Sequence, residues 1–324
     1  MVLVRWPRLV GVTWPERTWP ALGALAATVE FPDLLARVGN AAAAFFRRFL
    51  LGAQACWWFV CCFLTGPLIR CRPEDRRFLW RVFLAGIFKR RKWRKLAAAP
   101  TPAVWLGHLE RHVPFCAALV GEEREEFLGK LKGFIGTKPF FGAGGLEIDD
   151  EIRVVVAASA VRLIRKLDLS YYDRLKEIVV YPYDFVNPRS EYGVHLGEAH
   201  SFGTVVLSWP AVLRGLRDEH DGHETALHEF AHVLDLGDGG FDGTPVLRAR
   251  ADYAAWGQVM GAHFERLQSG DAESLRVLRA YGATDPAEFF AVATEAFFEK
   301  GELMRERAPD LYKVLREFYG FDPC

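Results

Sequence analysis

Beyond about residue 100, apolar positions recur mainly at spacings of three and four, the period of a helix with one buried face. Val113 to Ile135 reads as one helix with an acidic early turn (Glu122, Glu123, Glu125, Glu126), and Ile152 to Lys166 as a second. Between them Lys138 to Gly145 (KPFFGAGG) carries the glycine and proline punctuation of a loop. Ile178 to Tyr181 and Thr204 to Trp209 are short apolar runs rich in β-branched residues, each ended by a proline, and they predict two strands. Asn187 to Ser190 predicts a turn, and Glu191 to Phe202 a loop holding His195 and His200. Helical text returns after Pro210, with Thr225–Leu234 and Asp285–Glu299 as its strongest segments. The expected class is α+β, mostly helical, with a small sheet beside the Thr225–Leu234 helix.

The N-terminal text is of another kind. No lysine precedes Lys89, and seven of the ten tryptophans lie before residue 100, so a boundary is expected near residue 82, with a main domain over 83–324. Phe49 to Ile69 runs 21 residues without a charge. As a helix that is about 31 Å, enough for a hydrocarbon core of roughly 30 Å. Gly52, Gln54, Gly66 and Pro67 count against a span, and the run lies too deep in the chain for a cleavable signal peptide. Two readings of residues 1–82 therefore stand: a membrane anchor with the main domain in the cytoplasm, or an appendage from an over-extended start.

Charge and cysteine remove other classes. Basic and acidic residues balance at 41 each, so nothing in the overall charge points to nucleic acid or an anionic surface as a dominant partner. The six cysteines are sparse, four crowd into the apolar N-terminal stretch, and none pair at zinc-ribbon spacing. A reducing, cytoplasmic compartment is the expectation.

The chemistry is concentrated in TALHEFAHVL, residues 225 to 234. On a helix His228 and His232 stand one turn apart, with Cβ atoms about 5–6 Å from each other, close enough for two imidazoles to share one ion. Glu229 is rotated by about 100°, where it flanks the ion rather than binding it and can take a proton from a metal-activated water. The five-residue pattern also occurs on solvated helix faces. Here Leu227, Phe230, Ala231, Val233 and Leu234 make the helix apolar, so its polar residues are expected to be buried and to need partners. A catalytic zinc takes a third protein ligand and keeps one position open. Glu288 and Glu295 share a face of an apolar helix whose N-cap is expected at Asp285 and first residue at Pro286. Glu288 is either that ligand or a capping-box glutamate. Glu295 is either a carboxylate behind the ligands or a surface acid, and Asp235 either fixes an imidazole tautomer or simply ends a helix.

HEFAHVLD followed by AYGATDPAEFFAVATEAFF, with IVVYPYDFV and VVLSW upstream, resembles the Mlc titration factor A family of zinc-dependent peptidases over roughly residues 85 to 324. The resemblance implies a zincin-like domain with zinc on His228, His232 and Glu288 and with Glu229 as general base. It also implies an upstream histidine near the metal, best matched by His195, with His200 as competitor. Around the site alone the chain is similar to the catalytic domain of anthrax lethal factor, which implies a catalytic role for Tyr281, seven residues before Glu288. The implied partners are a peptide or protein substrate and, as in enteric members of the family, a transcriptional repressor of sugar uptake. A rival reading is a repressor-binding module in which zinc is structural.

Overall fold

A computed structural model describes residues 91–186, 194–195, 197–199 and 203–324, with the backbone alone for 185–186, 194–195 and 197–199. The expectations for residues 1–82, the Phe49–Ile69 run included, lie outside them. No helix among the described residues is long and apolar enough to cross a membrane.

From residue 103 on, the helices are α1 (Ala103–His112), α2 (Gly121–Ile135), α3 (Asp150–Leu163), α4 (Trp209–Gly215), α5 (Thr225–Asp235), α6 (Asp252–Gln268), α7 (Ala272–Val277), α8 (Pro286–Glu299), α9 (Gly301–Arg307) and α10 (Pro309–Tyr319). The strands are β1 (Phe140–Gly142), β2 (Glu177–Tyr181), β3 (Phe185–Val186), β4 (Val194–His195), β5 (Gly197–Ala199) and β6 (Thr204–Ser208). One sheet has the order β1-β2-β6-β5, parallel through β1, β2 and β6, with β5 antiparallel at the edge. A two-stranded antiparallel ribbon pairs β3 with β4. The class is α+β as expected.

Four local expectations change. The helix predicted from Val113 begins at Gly121, after a 3-10 turn over Pro114–Ala118. Gly121 sits at φ 53°, in the left-handed region open to glycine, and this sets the start of α2. Phe140–Gly142, predicted as loop, is a strand held by its parallel pairing with Ile178–Val180. Strand segments at 194–195 and 197–199 likewise occupy the predicted loop over 191–202. Both expected strands are present, but Trp209 and Pro210 open α4, whose first turn is capped by Ser208 Oγ accepting from the Ala211 amide at 3.2 Å.

α5 packs against α8, α3, β5 and β6 and is the centre of the core. Phe230 on α5 meets Phe134 and Tyr172 edge-on, at centroid distances of 5.8 and 5.7 Å. Trp256, Phe290 and Phe318 make a second aromatic knot that seats α8 from its other side.

Candidate metal centre

All eleven residues of α5 are buried, the polar side chains of His228, Glu229 and His232 among them, and buried polar groups need partners. Partners for both histidines come from α8. Asp285 caps this helix by accepting from the amides of Ala287 and Glu288, both at 2.9 Å, with Pro286 in the first turn. The Glu288 carboxylate is thereby free of capping duty and turns to α5. Its Oε2 stands 3.0 Å from Nε2 of His228 and 3.5 Å from Nε2 of His232. The two imidazoles meet edge-on with centroids 4.9 Å apart. Among the described residues, His228, His232 and Glu288 form a group whose ligand atoms all lie within 4.8 Å of one another.

Zinc bonds of roughly 2.0–2.2 Å in a tetrahedron put neighbouring ligand atoms about 3.3 Å apart. Separations of 3.0 and 3.5 Å from the Glu288 oxygen fit that size. The donor set fits as well: two neutral imidazoles and one carboxylate leave a fourth position open.

Two further contacts orient these groups. Nδ1 of His228 lies 3.1 Å from Oε2 of Glu295, a fully buried carboxylate two turns along α8 from Glu288, which also pairs with Arg279. Tyr281 donates from its phenol to Oε1 of Glu288 at 3.1 Å, and its ring lies 6.0 Å from that of His228. Burial alone would lower the pKa of His228, but the carboxylates of Glu295 and Glu288 overrule it and push it up to about 10. Burial works against ionised Glu288, yet its bonds to His228 and His232 hold it well below the usual carboxylate range. Burial, then the nearby Glu288 charge, pushes the Tyr281 phenol up, so it stays protonated as a donor.

Each residue singled out in the sequence can now be located. His228, His232 and Glu288 converge, with Glu229 buried on the same helix and Tyr281 40% exposed at the rim. Asp235 is buried, but its Oδ2 accepts from the Gly243 amide at 3.0 Å, while its Oδ1 and Nδ1 of His232 each lack a hydrogen-bond partner among the described residues. The His195 backbone pairs with Phe185 in the β3–β4 ribbon. Its side chain and all of His200 lie outside the described residues. Two participants left no sequence signal. Arg279 reaches Glu295 only because the turn before α8 folds back, and Phe241 comes to 5.8 Å from the His232 ring on the loop after α5.

A profile of the family described as "Glucose-regulated metallo-peptidase M90" matches residues 87–320. An uncharacterized protein of Synechocystis is 37% identical over 245 residues, covering 71% of this chain and 89% of that protein. Mlc titration factor A of Cronobacter sakazakii is 30% identical over 242 residues, covering 70% and 89%. Mlc titration factor A of Salmonella arizonae is 29% identical over 237 residues, covering 68% and 92%. With a match across this span, the chain belongs to the M90 family of glucose-regulated metallo-peptidases, which includes the Mlc titration factor A proteins.

Proposed function

We propose that residues 83–324 form a zinc-dependent peptidase in which His228, His232 and Glu288 hold the metal and Glu229 is the general base. The observation that carries this reading is the convergence of three ligand atoms from two helices, sixty residues apart in sequence, within 4.8 Å in a buried setting. When bound, zinc supplies a Lewis acid and lowers the pKa of a water to about 7. Glu229, rotated away from the ligand pair on α5, takes the proton from the attacking water and hands it to the leaving amine nitrogen. Tyr281 donates its phenol hydrogen to the oxyanion developing on the scissile carbonyl. His195 is a candidate additional ligand, and in that role it would close the site unless it left when substrate arrived. A cytoplasmic setting goes with this reading, and fractionation of the full chain tests it against an anchor through Phe49–Ile69.

Metal analysis and hydrolysis of a peptide library by the full chain, wild type beside Glu229→Gln, form the test. The expected result is about one zinc per chain in both proteins, with turnover reduced by about 10²–10⁴ in the variant. Undiminished hydrolysis by Glu229→Gln sinks the assignment.

The name of the Mlc titration factor A relatives favours a second role, binding a repressor of the Mlc type. Glu229→Gln separates the two: it abolishes an effect that depends on hydrolysis and spares one that depends on binding.

A further inference from the structure

We infer that Arg279 and Glu295 act as one positioning unit for the metal centre. This rests on the peptidase reading above. A single buried oxygen, Oε2 of Glu295, faces both Nδ1 of His228, at 3.1 Å, and the Arg279 guanidinium. A carboxylate that accepts from Nδ1–H fixes the tautomer in which Nε2 carries the lone pair, and Nε2 is the atom beside Glu288. Glu295 is fully buried, and an unpaired carboxylate there would be costly; the Arg279 guanidinium is the cation it pairs with.

Arg279 does more than neutralise. Its Nε donates to the Gly222 carbonyl at 3.2 Å, on the segment leading into α5, and it lies two residues before Tyr281, which meets Glu288. One guanidinium therefore ties together the approach to the helix bearing both histidines, the helix bearing Glu288, and the turn bearing Tyr281. Arginine suits the task because its forked donors are fixed in one plane and can serve two acceptors at once. Lysine keeps the charge but not the fork.

The test is zinc affinity of the full chain by competition with a chromophoric chelator, together with the visible spectrum of the cobalt-substituted protein. Glu295→Gln, Arg279→Lys and Arg279→Met are compared with wild type and with Glu299→Gln. Glu299 is the next buried carboxyl on α8, one turn beyond Glu295, and serves as the control for removing a buried acid that faces neither histidine. The expected result is a loss of about 10–100-fold in affinity for Glu295→Gln and for Arg279→Met, with an altered cobalt spectrum, no change for Glu299→Gln, and a combined variant no worse than the worse single one. Arg279→Lys is expected to recover part of the affinity. Wild-type affinity in Glu295→Gln, or additive losses in the combined variant, overturns the unit while leaving the peptidase reading intact. A wild type that takes up no zinc overturns both. Should Glu295→Gln fail to fold, Arg279→Met decides the matter, since wild-type affinity in that variant overturns the unit.

Discussion

The two oxygens of Glu288 have different partners: Oε1 accepts the phenol of Tyr281 at 3.1 Å, and Oε2 faces the two histidines at 3.0 and 3.5 Å. The phenol is thus docked beside the proposed ligand set without occupying the oxygen that faces the histidines. Tyr281→Phe is expected to keep full zinc occupancy, because Oε2 is untouched, and to lower kcat by about 10²–10³, the usual loss for one oxyanion donor. With 40% of Tyr281 exposed, the melting temperature should barely move. Parallel metal analysis and single-turnover peptide hydrolysis check this, and an unchanged kcat removes Tyr281 from the mechanism.

Protons and metal compete for the same nitrogen on His228. With its pKa pushed up to about 10 by Glu295 and Glu288, after burial has worked the other way, the ring carries a proton at neutral pH that metal must displace. Zinc affinity is therefore expected to rise about tenfold per pH unit between pH 7 and 9, which chelator competition reads directly. Chelator-stripped protein shows the linked effect. A histidine whose folded pKa lies above its ordinary 6.5 stabilises the fold fully below that value and loses the contribution as pH climbs through about 10. Stripped protein should therefore melt at progressively lower temperature from pH 7 to 10, and loaded protein should not follow it. A flat affinity profile excludes the displaced proton.

The helical half of the site is legible in sequence because each signal is local. His228 and His232 are one turn apart, and Asp285-Pro286 announces the start of α8 within two residues. What is not legible depends on segments that meet only after folding. Phe140–Gly142 carries glycine and proline around it and becomes a strand through pairing with residues 178–180. Arg279 finds Glu295 across a turn with no periodic relation to it. Spacing alone leaves both capping glutamate and metal ligand open at Glu288; the opposing histidines, with Nε2 of His228 3.0 Å from its Oε2, favour the proposed ligand role.

Glu299 is a buried carboxyl with no hydrogen-bond partner at either oxygen among the described residues. Burial, then the nearby Glu224 charge, pushes its pKa up to about 9. A raised carboxyl pKa means that the unfolded chain ionises first, so the contribution to stability is present below about pH 4.5 and lost as pH rises through about 9. Glu299→Gln keeps the shape and removes the ionisation. Its melting temperature should match wild type near pH 4.5 and exceed it increasingly toward pH 8, by about 2–4 °C for each kcal/mol recovered. Parallel thermal melts at the two pH values read this, and an equal difference at both would show that the carboxyl is already ionised in the fold.

Gly243 joins the loop after α5 to the start of α8. Its amide donates to the buried Oδ2 of Asp235 at 3.0 Å, its φ is 77°, and a Cβ there would run into the Pro286 carbonyl. Alanine is wrong on two counts, left-handed backbone and a backbone collision, and the loss should reach about 2 kcal/mol or more, lowering the melting temperature by at least about 4 °C. Pro286 opens the helix that carries Glu288 two residues on, so moving it displaces the carboxylate from the histidines. Gly243→Ala is therefore expected to weaken zinc binding as well as stability, although it lies outside the ligand set. Serine should behave as alanine does, because the collision involves Cβ. A variant that melts lower yet binds zinc as tightly as wild type would mean that α8 holds its position through the aromatic packing of Phe290 on Trp256 and Phe318, and that the loop contributes to stability alone.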